Sequence, residues 1–305
     1  MENFDYLCND MEQYIQIRGQ LVDLTTPRVM GILNVTPDSF YEGSRQQTEA
    51  DIARRADQIV EEGGTMIDVG AFSTRPDATF VSEEEEMERL RTGLRIVRRC
   101  QPQAIVSVDT FRPMVARMAV EEYGADIIND VSEGGMTGIA GKRLTDSDGN
   151  GTSEVPAMFE MVARLGVPYV LMSVQPTLAD TLISMSMKLQ QLRELGVKDV
   201  VLDPGFGFGK TLEQNYRLLG ELDKLKALGL PLLVGVSRKS MIYKVLGGTP
   251  ETSLNGTTAL HAIALMKGAS ILRVHDVKEA VEAVTLYGNV NGNGNKNGSD
   301  NGNES

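Results

Sequence analysis

Cysteine is almost missing from these 305 residues. Cys8 and Cys100 lie far apart in no paired motif, which excludes a disulfide framework and fits a cytoplasmic protein. A surplus of positive charge is missing too. The formal net charge is -12, the wrong sign for a nucleic-acid or anionic-membrane partner. An anionic substrate must then be held by a few local cations. No apolar run approaches the length of a membrane span. The chain opens with Glu2, Asp5 and Asp10 rather than a basic start and an apolar stretch, so no signal peptide is expected. What is present is a hydrophobic content of 41%, enough to bury a sizeable core in one large barrel or two ordinary domains.

Both ends differ from the middle. Residues 1–27 read as an extension in which Tyr14 to Leu24 alternates around Gly19, a hairpin pattern. From about Gly288 the chain is Asn- and Gly-rich with almost nothing to bury, so 288–305 is expected to be a disordered tail. Between them, over 28–287, short apolar runs alternate with helical patterns. The runs are Val29–Val35, Thr65–Val69, Ala104–Val108, Ala125–Asn129, Pro168–Met172, Asp199–Leu202, Pro231–Gly235 and Ser270–Val274. After Ser82, which reads with Glu85 as a capping box, Met87, Leu90, Leu94 and Val97 form one stripe. Acids crowd that helix's first turn and Arg95, Arg98 and Arg99 its end, as the dipole favours. Another helix is expected after Thr211, with Leu218, Leu222, Leu225 and Leu228 at helical spacing. The repeated strand–helix rhythm predicts an α/β fold, a closed (β/α)8 TIM barrel with a short N-terminal hairpin. A doubly wound open sheet shares that periodicity. Glu133 to Val155, rich in Gly, Ser and Asp, reads as a long loop after the fourth strand.

Polar residues gather where these strands end. The first ends in Asn34 and runs into Thr36-Pro-Asp-Ser-Phe40, and the second leads to Ser73-Thr-Arg-Pro76. The others end in Asp109, Asn129 with Asp130, Met172, Asp203-Pro-Gly, Ser237-Arg-Lys-Ser240, and Arg273 with His275 and Asp276. A single strand-end Asp is more often a helix cap, a reading that suits Asp130 and Asp276. His261, inside a helical pattern, reads as structural. Asp109, Asn129, Asp203, Lys239 and Arg273 together outrun such explanations, because a barrel's chemistry collects at the C-terminal ends of its strands. Gly205-Phe-Gly-Phe-Gly-Lys-Thr211 ends like a phosphate loop, but Pro204 stands where that motif needs Gly. The glycines instead suit a tight turn and close approach.

The order of these blocks resembles the dihydropteroate synthase family. The matching stretches are Met30 to Phe40, Ser73 to Pro76, Ser107-Val-Asp-Thr110, Ile127 to Val131, Asp203 to Lys210, Gly235 to Ser240 and Arg273 to Asp276. Two positions depart from the family pattern: Ser173 follows Met172 where His is usual, and Phe72 stands where Glu is usual. The resemblance implies a transferase of folate biosynthesis. It would condense 6-hydroxymethyl-7,8-dihydropterin pyrophosphate with p-aminobenzoate, giving 7,8-dihydropteroate and pyrophosphate. It implies Arg75, Lys239, Asp109 and Asp203 as catalytic residues. Asp109, Asn129, Met172, Asp203, Phe208, Gly235, Lys239 and Arg273 would surround the pterin. Asn34, Arg75, Arg273 and His275 would hold pyrophosphate, with Asn34 a ligand of Mg2+. Phe40, Thr74, Pro76 and Ser240 would receive p-aminobenzoate. A homodimer built from helices in the C-terminal half is also implied. Pterin-dependent methyltransferases share the pterin-reading Asp and Asn but generally lack the Ser-Arg-Lys block. A non-catalytic pterin-binding paralogue is a further alternative.

Overall fold

The structure, a computed structural model, describes residues 13–35, 45–72, 81–134 and 155–291. Two short antiparallel strands, β1 (Tyr14–Ile17) and β2 (Gln20–Asp23), turn at Arg18 and Gly19, both with positive φ. The remaining strands are β3 (Arg28–Asn34), β4 (Met66–Gly70), β5 (Ile105–Asp109), β6 (Ile127–Asp130), β7 (Tyr169–Met172), β8 (Val200–Asp203), β9 (Leu233–Val234) and β10 (Ile271–Val274). They form one 8-stranded sheet in the order β8-β7-β6-β5-β4-β3-β10-β9, parallel throughout. A parallel bridge between Leu202 and Leu232 joins the outer strands, supported by Leu202 N donating to Pro231 O at 2.8 Å. That seam makes the sheet a nearly closed barrel rather than an open one.

Helices follow the strands: α1 (Arg45–Glu61), α2 (Glu83–Cys100), α3 (Pro113–Tyr123), α4 (Ala157–Leu165), α5 (Leu178–Glu194), α6 (Leu212–Gly220), α7 (Ser240–Leu246), α8 (Leu254–Met266) and α9 (Val277–Val290). Strand residues alternate between two apolar cores. The set facing the helices includes Leu33, Val69, Val108, Ile128, Leu171, Leu202, Val234 and Val274. The other set fills the lower barrel, where Met30, Met66, Ile127, Val170, Val201, Leu233 and Ile271 pack with Ile15, Ile17 and Leu24 of the hairpin segment. The hairpin is thus the barrel's floor. Arg18 fastens it to Asp126 through Nε at 2.7 Å and Nη2 at 2.8 Å.

Several local expectations need correction. Ser82 accepts from Glu85 N, but the Glu85 carboxylate pairs with Arg89, so the capping box is half made. The acids expected in the first turn of α2 are there as Glu83 to Glu86, and Glu86 among them is also fully buried and binds Thr110 and Arg112. The helix after Thr211 stops at Gly220 and continues as a 3-10 turn over Leu222–Leu228. Leucines every three residues suit either geometry, so spacing alone could not reveal the break. The complete capping box is at Thr211 and Gln214. Asp276 occupies the N-cap position of α9 yet makes no cap bond, because Arg238 takes both its oxygens. α9 continues to Val290, so the expected start of the tail falls inside its last turns. Residues 292–305 and most of the Glu133–Val155 loop lie outside the described residues.

Candidate active site

Alternation lifts a second, polar layer above the apolar floor. Two residues beyond Met66, Ile105, Ile127, Val201 and Ile271 along their strands stand Asp68, Ser107, Asn129, Asp203 and Arg273. Two more along, Gly70, Asp109 and His275 reach the rim with Asn34. Polar groups at such depth favour partners; the charged groups here are paired, while Asp68 Oδ1, Ser107 Oγ and Asn129 Oδ1 are buried without a hydrogen-bond partner among the described residues. Arg273 Nε donates to Asp68 Oδ2 at 2.6 Å, and Arg273 Nη2 to Asp109 Oδ2 at 2.7 Å. Asn129 Nδ2 donates to Asp68 Oδ2 at 3.1 Å. Nη1 is the guanidinium nitrogen left for a ligand among the described residues.

The opposite wall comes from β8, β9 and the turns that follow. Asp203 Oδ1 accepts from Gly205 N at 2.7 Å. Gly205 has φ +71, and a Cβ there would lie 2.0 Å from the Ser173 carbonyl oxygen. This glycine is therefore demanded by the neighbouring backbone rather than by a ligand. Lys239 enters from the N-cap of α7, its Nζ donating to the Phe206 carbonyl and standing 4.7 Å from the centre of the Phe208 ring. A Cβ on Gly235 would meet Lys239 Nζ at 3.9 Å and Arg273 Cβ at 4.0 Å, so these two residues flank one bare position just past β9. Met172 pairs in register with Asp203 and is fully buried. Asn34 is exposed at the rim and Ser240 begins α7. His275 N donates to Ser237 Oγ at 3.1 Å, while Arg55 of α1 donates to the His275 carbonyl at 2.6 Å. Phe40, Thr74, Arg75 and Pro76 lie outside the described residues.

Burial shapes the charges. It raises Asp109 to about 7, with Asp68 adding to the rise and Arg273 opposing it. Burial also lifts Asp203 above the usual carboxylate range, against Lys239. Lys239 is pulled down to about 8, chiefly by burial, with Asp203 resisting. Burial works against Arg273 too, but Asp68 and Asp109 outweigh it and hold the guanidinium protonated. His275 is driven down to about 4 by burial and then by Arg273, so it is neutral at physiological pH.

Sequence reasoning missed three contributors. Asp68 lies inside an apolar strand, where the signal was a lone acid two residues before Gly70. Lys210, part of the matched glycine run but given no role, donates to the carbonyls of Ser173, Gly205 and Phe208 at 3.0, 3.1 and 3.3 Å, pinning that loop. Glu133, with φ 57, accepts from Val174 N and Lys188 Nζ and so ties the turn after β6 to the turn after β7. The departures find local explanations. Phe72 packs edge-on against Phe111 with centroids 5.7 Å apart, and Arg112 lies over that second ring. Ser173 is buried, its Oγ accepting from Gln175 N at 3.2 Å.

Magnesium prefers oxygen ligands and keeps several waters. Among the described residues no group of three or more His, Cys, Asp or Glu could hold a metal. Asn34 Oδ1 and Asp109 Oδ2 lie 3.4 and 3.8 Å from the Cβ position of Gly70, putting one amide and one carboxylate oxygen on the same stretch of rim. Such a sparse set fits an ion arriving with phosphate oxygens rather than a resident one.

The family model described as pterin binding enzyme matches residues 30–275, from the first barrel strand to the last. The chain belongs to the pterin-binding enzymes. Within that family it is similar to the dihydropteroate synthase of Escherichia coli (strain K12), 39% identical over 282 residues, covering 88% of this chain and 93% of the relative. A solved Xanthomonas albilineans dihydropteroate synthase with 4-aminobenzoic acid superposes at TM-score 0.78 and 36% identity, over 92% of this chain and 98% of that one. The Coxiella burnetii dihydropteroate synthase in complex with pteroic acid gives TM-score 0.74 and 33% identity, over 91% and 98%. In these pterin-binding enzymes the match runs nearly end to end, so the barrel and its mouth are compared as one unit.

Proposed function

We infer that this chain is a dihydropteroate synthase, a transferase of folate biosynthesis. It joins 6-hydroxymethyl-7,8-dihydropterin pyrophosphate to p-aminobenzoate and releases pyrophosphate. The observation that carries this reading is the convergence of Asp203, Lys239, Asn129, Asp109 and Arg273 on one barrel mouth, in a chain related over most of its length to named synthases. In the reaction the bond between the pterin methylene carbon and the pyrophosphate oxygen breaks. Its electron pair leaves with pyrophosphate. The p-aminobenzoate amine then forms the carbon–nitrogen bond and sheds a proton.

The pocket suits those demands. A pterin edge places an amino group beside a ring N–H, and a carboxylate accepts both, as it does from a guanidinium. Asp203 takes that task, Asn129 and Asp109 read the remaining ring atoms, and Lys239 donates to the ring carbonyl. Arg273, tied at two nitrogens, offers its flat face to the ring, between walls made by Met172 and Phe208, with Gly235 admitting it closely. Arg75, Arg273, His275 and Asn34 are the groups for pyrophosphate. Magnesium, held by Asn34 and the phosphates, would neutralise charge on the leaving group. Phe40, Thr74, Pro76 and Ser240 would take p-aminobenzoate.

Pyrophosphate release, followed with both substrates and with and without magnesium, tests the whole reading. No release with either would overturn it. Arg75→Ala should cost about 3 kcal/mol of barrier, a loss of two to three orders of magnitude in turnover, while the circular dichroism spectrum is kept. A cytoplasmic homodimer belongs to the same proposal. Val245 and Leu246 of α7, Ile263 and Met266 of α8, and Leu286 and Val290 of α9 are exposed apolar residues on consecutive helices, which supports it. Sedimentation of a monomer at micromolar concentration would count against it.

A further inference from the structure

One buried charge at the mouth has no task in the chemistry above. Asp68, midway along β4, is fully buried, and its Oδ2 serves both Arg273 Nε and Asn129 Nδ2. Two geometric consequences follow. Held by Asp68 at Nε and by Asp109 at Nη2, the Arg273 guanidinium cannot turn its plane. The second consequence concerns Asn129. The two ends of an amide are alike in shape, and only their partners decide which end faces where. With Nδ2 committed to Asp68, the carbonyl oxygen is turned the other way, and Asn129 Oδ1 is buried without a hydrogen-bond partner among the described residues. A buried acceptor in that condition favours any ligand that brings a donor to it.

We propose that Asp68 is a positioning residue for ring recognition. Its carboxylate fixes the Asn129 amide with the oxygen toward the ligand and sets the plane of Arg273, so the pocket selects a ring that presents an N–H at that edge. The proposal rests on the reading of this mouth as the pterin site. A purely structural Asp68, merely fastening β4 to β10, would alter the amount of folded enzyme and leave the affinity of the folded fraction alone.

Asp68→Asn keeps the size and removes the charge. In the full-length variant the KM for pterin pyrophosphate should rise about tenfold or more, the loss of a charge-assisted buried hydrogen bond, while the KM for p-aminobenzoate stays as in the wild type. Pterin analogues in which ring N–H groups are replaced one at a time by C–H give the finer readout. One of them should lose affinity for the wild type and lose none for Asp68→Asn, a coupling that identifies the donor. Equal KM values, or the same ranking of analogues with both proteins, overturn the proposal. Should Asp68→Asn not fold, the wild type answers by NMR. The Asn129 side-chain amide protons should resist exchange into D2O, and rapid exchange overturns the assignment. Asp203→Asn separates the two levels. If it binds pterin as well as the wild type, the reading of the site falls. If it loses pterin while Asp68→Asn does not, only the role of Asp68 falls.

Discussion

Lys239 works in a setting that undermines its own charge. A lysine held at about 8 by burial is protonated at neutral pH and deprotonates within the mildly alkaline range. The kcat/KM for pterin pyrophosphate should therefore fall on the alkaline side with a midpoint near that value, since this quantity reports the free enzyme. In Lys239→Met the rate should be low throughout and that limb should vanish. A limb that persists in the variant would assign the titration elsewhere. His261 behaves differently. It is buried in α8, and burial lowers it from 6.5 to about 4. Unfolded chains bind its proton below 6.5 while the folded protein refuses it until about 4, so the stability it protects above 6.5 is lost as pH falls through that window. At pH 5 the loss is about 2 kcal/mol relative to neutral pH, and His261→Leu should remove that part of the acid sensitivity in urea titrations at both pH values. Residues of this kind differed in how readable they were. Asp203, Asn129, Lys239 and Arg273 could be singled out because each ends a strand or follows one closely. Asp68 and Glu86 could not, because a carboxylate's partner across the barrel or in the next loop is a tertiary fact that spacing does not encode.

Strands were legible to within a residue or two, because each apolar run was bounded by turn-forming or polar residues. The turns between them were less so, since their shape depends on what they touch. Gly205 illustrates this. The sequence suggested room for a ligand, whereas the crowding comes from the Ser173 carbonyl. Gly205→Ala therefore combines a left-handed backbone with a collision against main chain. The strain alone costs about 1–2 kcal/mol, and the clash adds to it. A drop of that size or more in denaturant stability is expected, together with weaker pterin binding as Phe206 and Phe208 shift with the loop. Unchanged stability would mean that the turn relaxes away from β7. The break between α6 and the 3-10 turn belongs here too. Leu218, Leu222 and Leu225 are buried as a continuous helix would bury them, so selection on the apolar face leaves little trace of the interruption.

At the scale of the molecule the barrel has two poles with separate duties. The floor, closed by Ile15, Ile17 and Leu24, is apolar and distant from the reacting groups. Ile15→Ala should cost about 2–5 kcal/mol of stability, as other buried truncations do, with KM values unaltered below the shifted melting transition. A change in KM at low temperature would show that the poles communicate. The eight strands and the closed barrel were both expected from the sequence, although the strand–helix rhythm by itself is shared with an open sheet. What distinguishes the two is the contact between Leu202 and Leu232, on the two edges of the sheet.

Gly134 and Pro156 stand on either side of residues 135–154, and they lie close together: a Cβ added to Gly134 would come within 2.9 Å of the Pro156 Cβ. The two flanks thus meet at nearly one spot, with Glu133 riveting that spot to the neighbouring turn. Whatever is inserted there changes no strand register, and lengthening it is cheap because closure entropy grows only logarithmically with length. This junction is where a reporter domain could be grafted beside the mouth without rebuilding the enzyme beneath it.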